Sequence, residues 1–252
     1  MASKETRKKY DLKTKFRTVP GAVGNYEILG KKYPVAEIEE IIIGSNTLSQ
    51  KDYIDCRVMD LFIQTFYNNY LFEEVFALLK SLAVSTFDCM LYIKNHPELY
   101  SNNVKEIIKD FISATIDDLY NSLEEAQQSV LTPEIMIKYI EGKLGYNELL
   151  ENTVRLFNKF DDSRDLMFNA AKGTLKEKDL FTSEIENYLL ELERFVSIRK
   201  NDPLVDIGSV KSSTFNYDFE AIRENSYQIN PNSIPLLKTP LRFDFFHDQE
   251  QQ

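Results

Sequence analysis

Residues 37–82 have the sequence EIEEIIIGSNTLSQKDYIDCRVMDLFIQTFYNNYLFEEVFALLKSL. The apolar residues are consecutive at Ile41–Ile43, and after Ser49 they recur every three or four positions. Consecutive β-branched residues favour a strand covered on both faces, whereas the later spacing favours an amphipathic helix. We therefore predict a strand at Ile38–Ile43, a turn at Gly44–Asn46 and a helix that begins after Ser49.

Ser49 is the expected N-cap of this helix. It lies three residues before Asp52, which makes a shorter-armed version of the Ser-x-x-Glu capping box. In such a box the two side chains bind backbone N–H groups that the first helical turn leaves without partners.

Helical periodicity continues to residue 198. The further predicted helices are Phe72–Ala83, one capped by Ser85 or Thr86 that ends near Asn95, Ser101–Leu123, Pro133–Glu141, one containing Leu149–Phe160, and Leu175–Ile198. Glycine and proline predict a loop at residues 17–36, which could include a short hairpin. From residue 204 onward, alternating polar and aromatic residues predict extended segments, with a final strand at Leu241–Phe246.

These elements predict a mainly α protein: a multi-helix bundle after a short N-terminal strand and turn, with a small irregular or β segment at the C-terminus. We expect three segments. Residues 1–44 are a basic N-terminal segment with one strand, residues 45–200 are a helical domain, and residues 201–252 are an extended segment packed on the helices.

Composition restricts the class of protein. The apolar fraction of 43% is sufficient for a core, and eight Gly and eight Pro are too few for an all-β sandwich. No apolar run approaches the roughly 20 residues that span a bilayer, so we expect no membrane span. Two cysteines in a chain of this size indicate a reducing compartment, and cytoplasmic localisation is the expectation.

The charge is unevenly distributed. The net charge is −10, yet residues 1–17 carry seven Lys or Arg against Glu5 and Asp11, a net of +5, which leaves −15 for the remainder. An acidic body disfavours nucleic acid, so we expect no nucleic-acid partner. We interpret the basic start as a solvated terminus; the alternative is contact with a phosphate or a protein partner.

One acidic motif has two interpretations. Residues 160–165, FDDSRD, contain a DDxxD pattern formed by Asp161, Asp162 and Asp165. The pattern resembles that of helical isoprenoid synthases, whose carboxylates hold the magnesium ions that bind diphosphate. Those enzymes need a second acidic motif, and the nearest candidate, Asp117–Asp118, lacks a third acid at Asn121. The simpler interpretation is capping and a favourable helix dipole.

Several patches resemble a known family. They are EIEEIIIGSNTLSQKDYIDCRVMDLFI at 37–63, QTFYNNYLFEEVFALLKSLAVSTFDCMLYI at 64–93, STFNYDFEAI at 213–222 and LRFDFFHDQEQQ at 241–252. The first is similar to the place where the last barrel strand of cobalamin-binding radical SAM proteins turns into a helix. The others resemble the helical tail and closing segment of those proteins. By this resemblance the chain is the C-terminal part of such a protein.

The resemblance implies chemistry that these residues cannot supply alone. The family uses a 4Fe-4S cluster, S-adenosylmethionine and cobalamin, and it binds the cluster through C-x-x-x-C-x-x-C, which this sequence lacks. The implied partners are the radical SAM and cobalamin-binding domains, in cis or as a separate chain. Ser45, Asn46 and Thr47 follow the predicted strand at the end where a barrel site would lie, so they are candidate substrate contacts; a simple turn is the alternative.

Three hypotheses follow. The first is a helical region that shapes a substrate site, with the S-adenosylmethionine-cleaving chemistry outside the chain, no catalytic residue of its own and no cofactor held alone. The second is a stand-alone helical interaction protein without catalysis. The third is a magnesium-dependent isoprenoid-type enzyme that uses Asp161, Asp162 and Asp165.

Overall fold

The computed structural model describes residues 2–200, 210–224 and 236–246. Helices account for 60% of the structure, which confirms the predicted mainly α class. In chain order the elements are α1 (Lys4–Tyr10), β1 (Lys13–Ile28), β2 (Lys31–Gly44), α2 (Gln50–Phe62), a π-helical turn (Ile63–Asn68), α3 (Glu73–Ser81), α4 (Thr86–Asn95), a 3₁₀ turn (Pro97–Leu99), α5 (Asn102–Asp117), α6 (Leu123–Leu131), α7 (Pro133–Ile140), α8 (Glu148–Asn158), α9 (Phe160–Glu177), α10 (Ser183–Arg199), β3 (Val210–Tyr217), α11 (Phe219–Glu224) and β4 (Leu236–Phe246).

The chain divides into two compact units. The first comprises Met1–Leu61 and Ile107–Thr153, and the second comprises Phe62–Glu106 and Val154–Gln252. Each unit is therefore built from two separate stretches of sequence. The three consecutive segments expected from the sequence describe the order of structure types along the chain, and as a domain division they stay a prediction.

A long antiparallel ribbon of β1 and β2 dominates the N-terminal stretch of the first unit. The pairing extends from Lys13 opposite Gly44 to Ile28 opposite Lys31. The predicted strand at Ile38–Ile43 is confirmed as part of β2. The loop predicted at residues 17–36 is wrong, whereas the hairpin that the prediction allowed there is present and is longer than expected. Pro20 and Gly21 lie in a bulge between Thr18 and Val23, and Gly30 lies in the tight turn.

The ribbon differs from a barrel strand in two respects. β2 pairs with an antiparallel neighbour, β1, whereas barrel strands of this kind have parallel neighbours. Ile43 is buried, but Ile42 is 47% exposed, so the expectation that both faces of the strand are covered is wrong.

A backbone bridge and an apolar contact are among the interactions that attach the ribbon to the rest of the first unit. Phe16 and Tyr120 exchange backbone hydrogen bonds of 3.0 and 2.7 Å, which extends β1 by one bridge to the chain that follows α5. Further along the ribbon, Val23 and Ala36 pack against a small apolar cluster from α6 and α7. The cluster consists of Val130, Met136 and Tyr139.

The predicted cap of α2 is confirmed. The Asp52 backbone N–H donates to Ser49 Oγ over 3.1 Å, and the Ser49 backbone N–H donates to Asp52 Oδ2 over 2.8 Å. This reciprocal pair is the capping box expected from the sequence, with aspartate in place of glutamate.

The second unit has an aromatic core. Phe62, Phe66 and Phe72 follow one another at ring-centroid separations of 6.1 and 5.8 Å, and all three are fully buried. α4 packs closely on α9, where a Cβ added at Gly173 would lie 2.2 Å from the Tyr92 ring. A glycine is therefore required at this helix crossing.

Helix boundaries differ from prediction in several places. The helix predicted to contain Leu149–Phe160 ends at Asn158, and Phe160 begins α9. The single helix predicted at Leu175–Ile198 is wrong: α9 ends at Glu177, Asp179 has a φ of 55°, and Thr182 caps α10. The helix predicted to extend to Leu123 ends at Asp117, because the following residues pair with β1.

The β3–β4 ribbon packs on α10 through phenylalanines. Phe195 lies 5.5 Å from Phe215 and 5.9 Å from Phe243, centroid to centroid, and the rings meet edge to face. The predicted final strand at Leu241–Phe246 is confirmed as part of β4.

Among the described residues, none of the helices taken singly has the length and apolar composition to cross a membrane. The pair Glu73–Ser81 and Thr86–Asn95 meets that test jointly and is bent by 115°.

Candidate functional site

The first unit contains a polar cleft of about 290 Å³. One wall is the C-terminal half of α5 and the residue after it, and the other is the loop that leads into α8. The lining residues are Asp110, Ser113, Ala114, Asp117, Asp118, Lys143, Leu144, Gly145, Tyr146 and Glu148. Four carboxyl groups and one ammonium group therefore face this space or border it.

Asp118 lies at the point where α5 ends and the backbone turns toward β1. The bridge between Tyr120 and Phe16 fixes this short segment two residues later. Burial, and after it the negative charge of Glu148, raise the pKa of Asp118 to about 6, although Arg17 and a hydrogen bond from Tyr139 act in the opposite direction. The carboxyl group therefore titrates close to neutral pH.

Glu148 is the centre of a charged network beside Asp118. Its Oε1 atom accepts hydrogen bonds from Arg57 Nη2 at 2.7 Å and from Arg17 Nη1 at 3.4 Å. Arg17 also donates to Glu39 at 2.8 Å, and Arg57 donates to Asp60 at 2.7 Å. This buried carboxylate ties β1 and α2 to the start of α8.

The two arginines are constrained in different ways. The Arg57 guanidinium lies 5.5 Å from the centre of the Phe111 ring, a cation–π distance. Among the described residues its Nε atom is buried without a hydrogen-bond partner. Arg17 is held by Glu39 on one side and by Glu148 on the other. The network therefore holds Glu148 rigidly at the edge of the cleft.

Tyr139 connects Asp118 to the ribbon. Its hydroxyl donates to Asp118 Oδ1 over 3.4 Å and accepts from the buried Thr18 hydroxyl over 3.3 Å. Burial raises the pKa of Tyr139, so the hydroxyl stays a donor at neutral pH.

Gly145 allows the Tyr139 ring to occupy its position. A Cβ on Gly145 would lie 2.5 Å from Tyr139 Cε1, and the glycine φ is +63°. Its carbonyl accepts a backbone hydrogen bond from Gly21 at 3.2 Å. Both steric space and backbone conformation require glycine here.

This arrangement suits recognition of a polar, positively charged group. Apart from Glu148, which two guanidinium groups neutralise, the cleft carboxyls are Asp110, Asp117 and Asp118, against a single Lys143. Among the described residues, no group of three or more His, Cys, Asp or Glu has an arrangement that could hold a metal ion. The cleft chemistry is therefore that of carboxylates, a hydroxyl and a carboxyl group that titrates near neutrality.

Ser45, Asn46 and Thr47 form a turn after β2. Ser45 Oγ accepts the backbone N–H groups of Thr47 and Leu48, both at 3.2 Å. The Asn46 N–H donates to the Tyr10 carbonyl at 2.9 Å. These hydrogen bonds show that the three residues form a turn closed by the Ser45 side chain. Their role as substrate contacts stays a prediction.

The aspartates of the DDxxD pattern are occupied by protein partners. Arg164 donates to Asp161 at 2.6 Å and to Asp165 at 2.7 Å, and Asn103 donates to Asp162 at 2.8 Å. Asp161 and Asp162 lie in the first turn of α9, where the helix dipole favours carboxylates. The N-cap residue is Lys159, and its side chain makes no capping hydrogen bond. The aspartates therefore favour the helix dipole, as predicted, but none of them caps the helix.

The cysteines do not fit an iron–sulfur cluster. A 4Fe-4S cluster needs thiolates brought together, whereas this chain has two cysteines, 33 positions apart. Cys89 is buried, and burial raises the pKa of its thiol to about 12. Cys56 is exposed.

Neither family models nor curated proteins identify the chain. No protein-family model matches the sequence, and no curated protein matches it.

Sequence reasoning found Asp118 only as an incomplete acidic motif, and it missed Arg17, Arg57, Glu148 and Tyr139. One local signal was present: Asn147 before Glu148 is a helix start, and its side chain accepts the Leu150 N–H at 3.0 Å. That signal predicts an acidic residue in a first turn, but not its pairing with two distant arginines.

Proposed function

We propose that this chain is the C-terminal helical region of a radical SAM protein of the cobalamin-binding class, and that it shapes part of a substrate site. The S-adenosylmethionine-cleaving chemistry lies outside the chain, in radical SAM and cobalamin-binding domains that are joined to it in cis or act as a separate chain in the cytoplasm. The sequence patches at 64–93, 213–222 and 241–252 support the family assignment, whereas the antiparallel pairing of β2 does not match the barrel strand that residues 37–63 resemble.

The observation that carries the substrate-shaping role is the half-buried Asp118 carboxyl in the wall of the first-unit cleft. Burying a carboxyl without neutralising it is unfavourable, so a protein gains little stability from this arrangement. Residues that lower stability in a preformed cleft are typical of binding sites. The ammonium group of a bound substrate would pair with the Asp118 carboxylate, and this pairing would offset the cost of burying the charge.

Binding can be tested with the isolated chain. Thermal unfolding would be followed in the presence of 1,4-diaminobutane, glucose or succinate as probes of amines, polyols and carboxylates. We expect the amine to raise the unfolding temperature, the carboxylate to leave it unchanged, and Asp118→Asn to abolish the amine effect. Glu124→Gln, an exposed carboxylate outside the cleft, is the matched control. Equal amine effects in wild type and Asp118→Asn would remove the cleft from the proposal.

The family assignment has a separate test. The DNA upstream of the coding sequence would be read for codons that encode C-x-x-x-C-x-x-C, in the same frame or in a neighbouring gene. Its presence would supply the cluster ligands that this chain lacks. Its absence from both would favour the alternative of a stand-alone interaction protein.

A further inference from the structure

The outer half of the β1–β2 ribbon has one apolar face without cover in the described structure. Opposite partners in the register share a face, so Tyr26 and Tyr33 lie together, with Val35 and Ile28 on the same side. Val23 and Ala36 lie on the other face, against the apolar cluster of α6 and α7. We name the first side the outer ribbon face.

The outer ribbon face exposes a large apolar area. The exposed fractions on this face are Tyr26 61%, Ile28 58%, Tyr33 45% and Val35 42%. With about 200 Å² for a tyrosine and somewhat less for the aliphatic side chains, these fractions correspond to roughly 400 Å². A patch of this size is as large as the largest apolar patch on a typical monomer, and such patches are often functional.

The turn at the tip of the ribbon is also unfavourable in the isolated chain. Leu29 and Gly30 form the two-residue turn, and Leu29 has a φ of 53°. A left-handed conformation is unfavourable for leucine, and Leu29 is 99% exposed, so burial within the chain does not compensate for it.

We propose that the outer ribbon face binds the same face of a second copy of this chain, with the two ribbons packed face to face and antiparallel. Along β2 this face presents Lys31, Tyr33, Val35 and Glu37 at alternate positions. In an antiparallel pair each Lys31 lies opposite Glu37 of the second copy, and each Tyr33 lies opposite Val35.

Two further observations fit this arrangement. Lys31 and Glu37 are exposed, and among the described residues neither has an ion pair. On β1 the same alignment sets Tyr26 over Gly24 of the second copy, and the space above Gly24 is open to at least 4 Å. A ring can therefore enter where a side chain would block it.

The area predicts a weak dimer. Two outer ribbon faces would bury roughly 800 Å² of apolar surface in total, to which Lys31 and Glu37 add polar area, and this places the contact among small, weak interfaces. We therefore expect association that depends on protein concentration.

The test is sedimentation velocity of the full chain from low to high micromolar concentration. The expected mass rises from 29.4 kDa toward twice that value. Glu37→Lys and Lys31→Glu should each weaken association roughly tenfold, because each replaces two attractive pairs with repulsive ones, and the double variant should restore it. Lys32→Glu makes the same charge change on the other face and should have no effect.

Circular dichroism and the unfolding midpoint of each variant establish that it is folded. Three results would overturn the proposal: a monomer at high micromolar concentration, in which case another partner covers the face; a dimer insensitive to the single charge reversals; and a double variant as weak as the single ones. None of these depends on whether the cleft binds an amine.

Discussion

Replacing Asp118 with asparagine should stabilise the protein above neutral pH. In the folded state the pKa of Asp118 is raised from 3.8 to about 6, mainly because the carboxyl is buried. The native state therefore binds more protons than the unfolded state between pH 4 and pH 6. Stability contributed at this position falls as the pH rises through that window, and the loss is complete above it.

The magnitude follows from the size of the shift. A shift of about two units corresponds to roughly 3 kcal/mol at most, since each pKa unit is about 1.4 kcal/mol. Asp118 is only half-buried and solvent relaxation lowers the penalty, so we expect about 1–2 kcal/mol in the free energy of unfolding at pH 8. Near pH 4 the difference between wild type and Asp118→Asn should become small.

Urea denaturation of both proteins at pH 8 and pH 4 measures this directly. Arg7 lowers the pKa of Glu40 to about 2, which makes the whole protein less stable as the pH falls below 4, but this effect is common to both proteins and cancels in their difference. Asp117→Asn, at the exposed neighbouring carboxylate, is the control for the loss of a charge that is not buried. A destabilised Asp118→Asn at pH 8, or a difference that does not change with pH, would refute the reasoning from burial.

Four further outcomes are expected. Gly145→Ala should destabilise the protein by about 2–4 kcal/mol in urea denaturation, because it adds both backbone strain and a clash with Tyr139. Gly142 has a φ of +69° and nothing within 4 Å, so Gly142→Ala adds strain alone and should cost about 1 kcal/mol. Equal effects of the two substitutions would contradict the close approach of Tyr139 to Gly145. Ser49→Ala should cost about 0.5–2 kcal/mol through the lost cap, and an unchanged midpoint would count against it. A thiol reagent should modify the exposed Cys56 in the native protein and reach Cys89 only after unfolding. Rapid modification of both thiols in the native protein would show that Cys89 is not buried. Anaerobic reconstitution of the chain alone with iron and sulfide should give neither a stoichiometric cluster nor 5′-deoxyadenosine, and the opposite result would move the chemistry into this chain.

Local signals predicted the local structure well. The box of Ser49 and Asp52 was identifiable because a cap depends on residues three positions apart, and it forms as expected. Pro133 likewise begins α7 as the sequence predicted. The length of the ribbon was missed because Gly21 and Gly30 have the same signature in a bulge or hairpin turn as in a loop, and only cross-strand pairing distinguishes them.

The site depends on contacts that no local signal contains. Glu148 is 131 residues from Arg17 and 91 residues from Arg57, and each arginine also pairs with a carboxylate nearer in sequence, Glu39 or Asp60. The raised pKa of Asp118 arises from burial by elements distant in sequence. The separation of α9 and α10 had a local signal in the N-cap residue Thr182, and the continuous apolar spacing on both sides of it concealed the break.

Mapping the amide chemical shifts of the isotope-labelled chain during titration with 1,4-diaminobutane tests the central claim most directly. The account predicts saturable shifts concentrated at residues 113–118 and 143–148, absent in Asp118→Asn and retained in Glu124→Gln. Shifts spread over the acidic surface without saturation, or the same shifts in Asp118→Asn, would contradict the assignment of the cleft as a binding site.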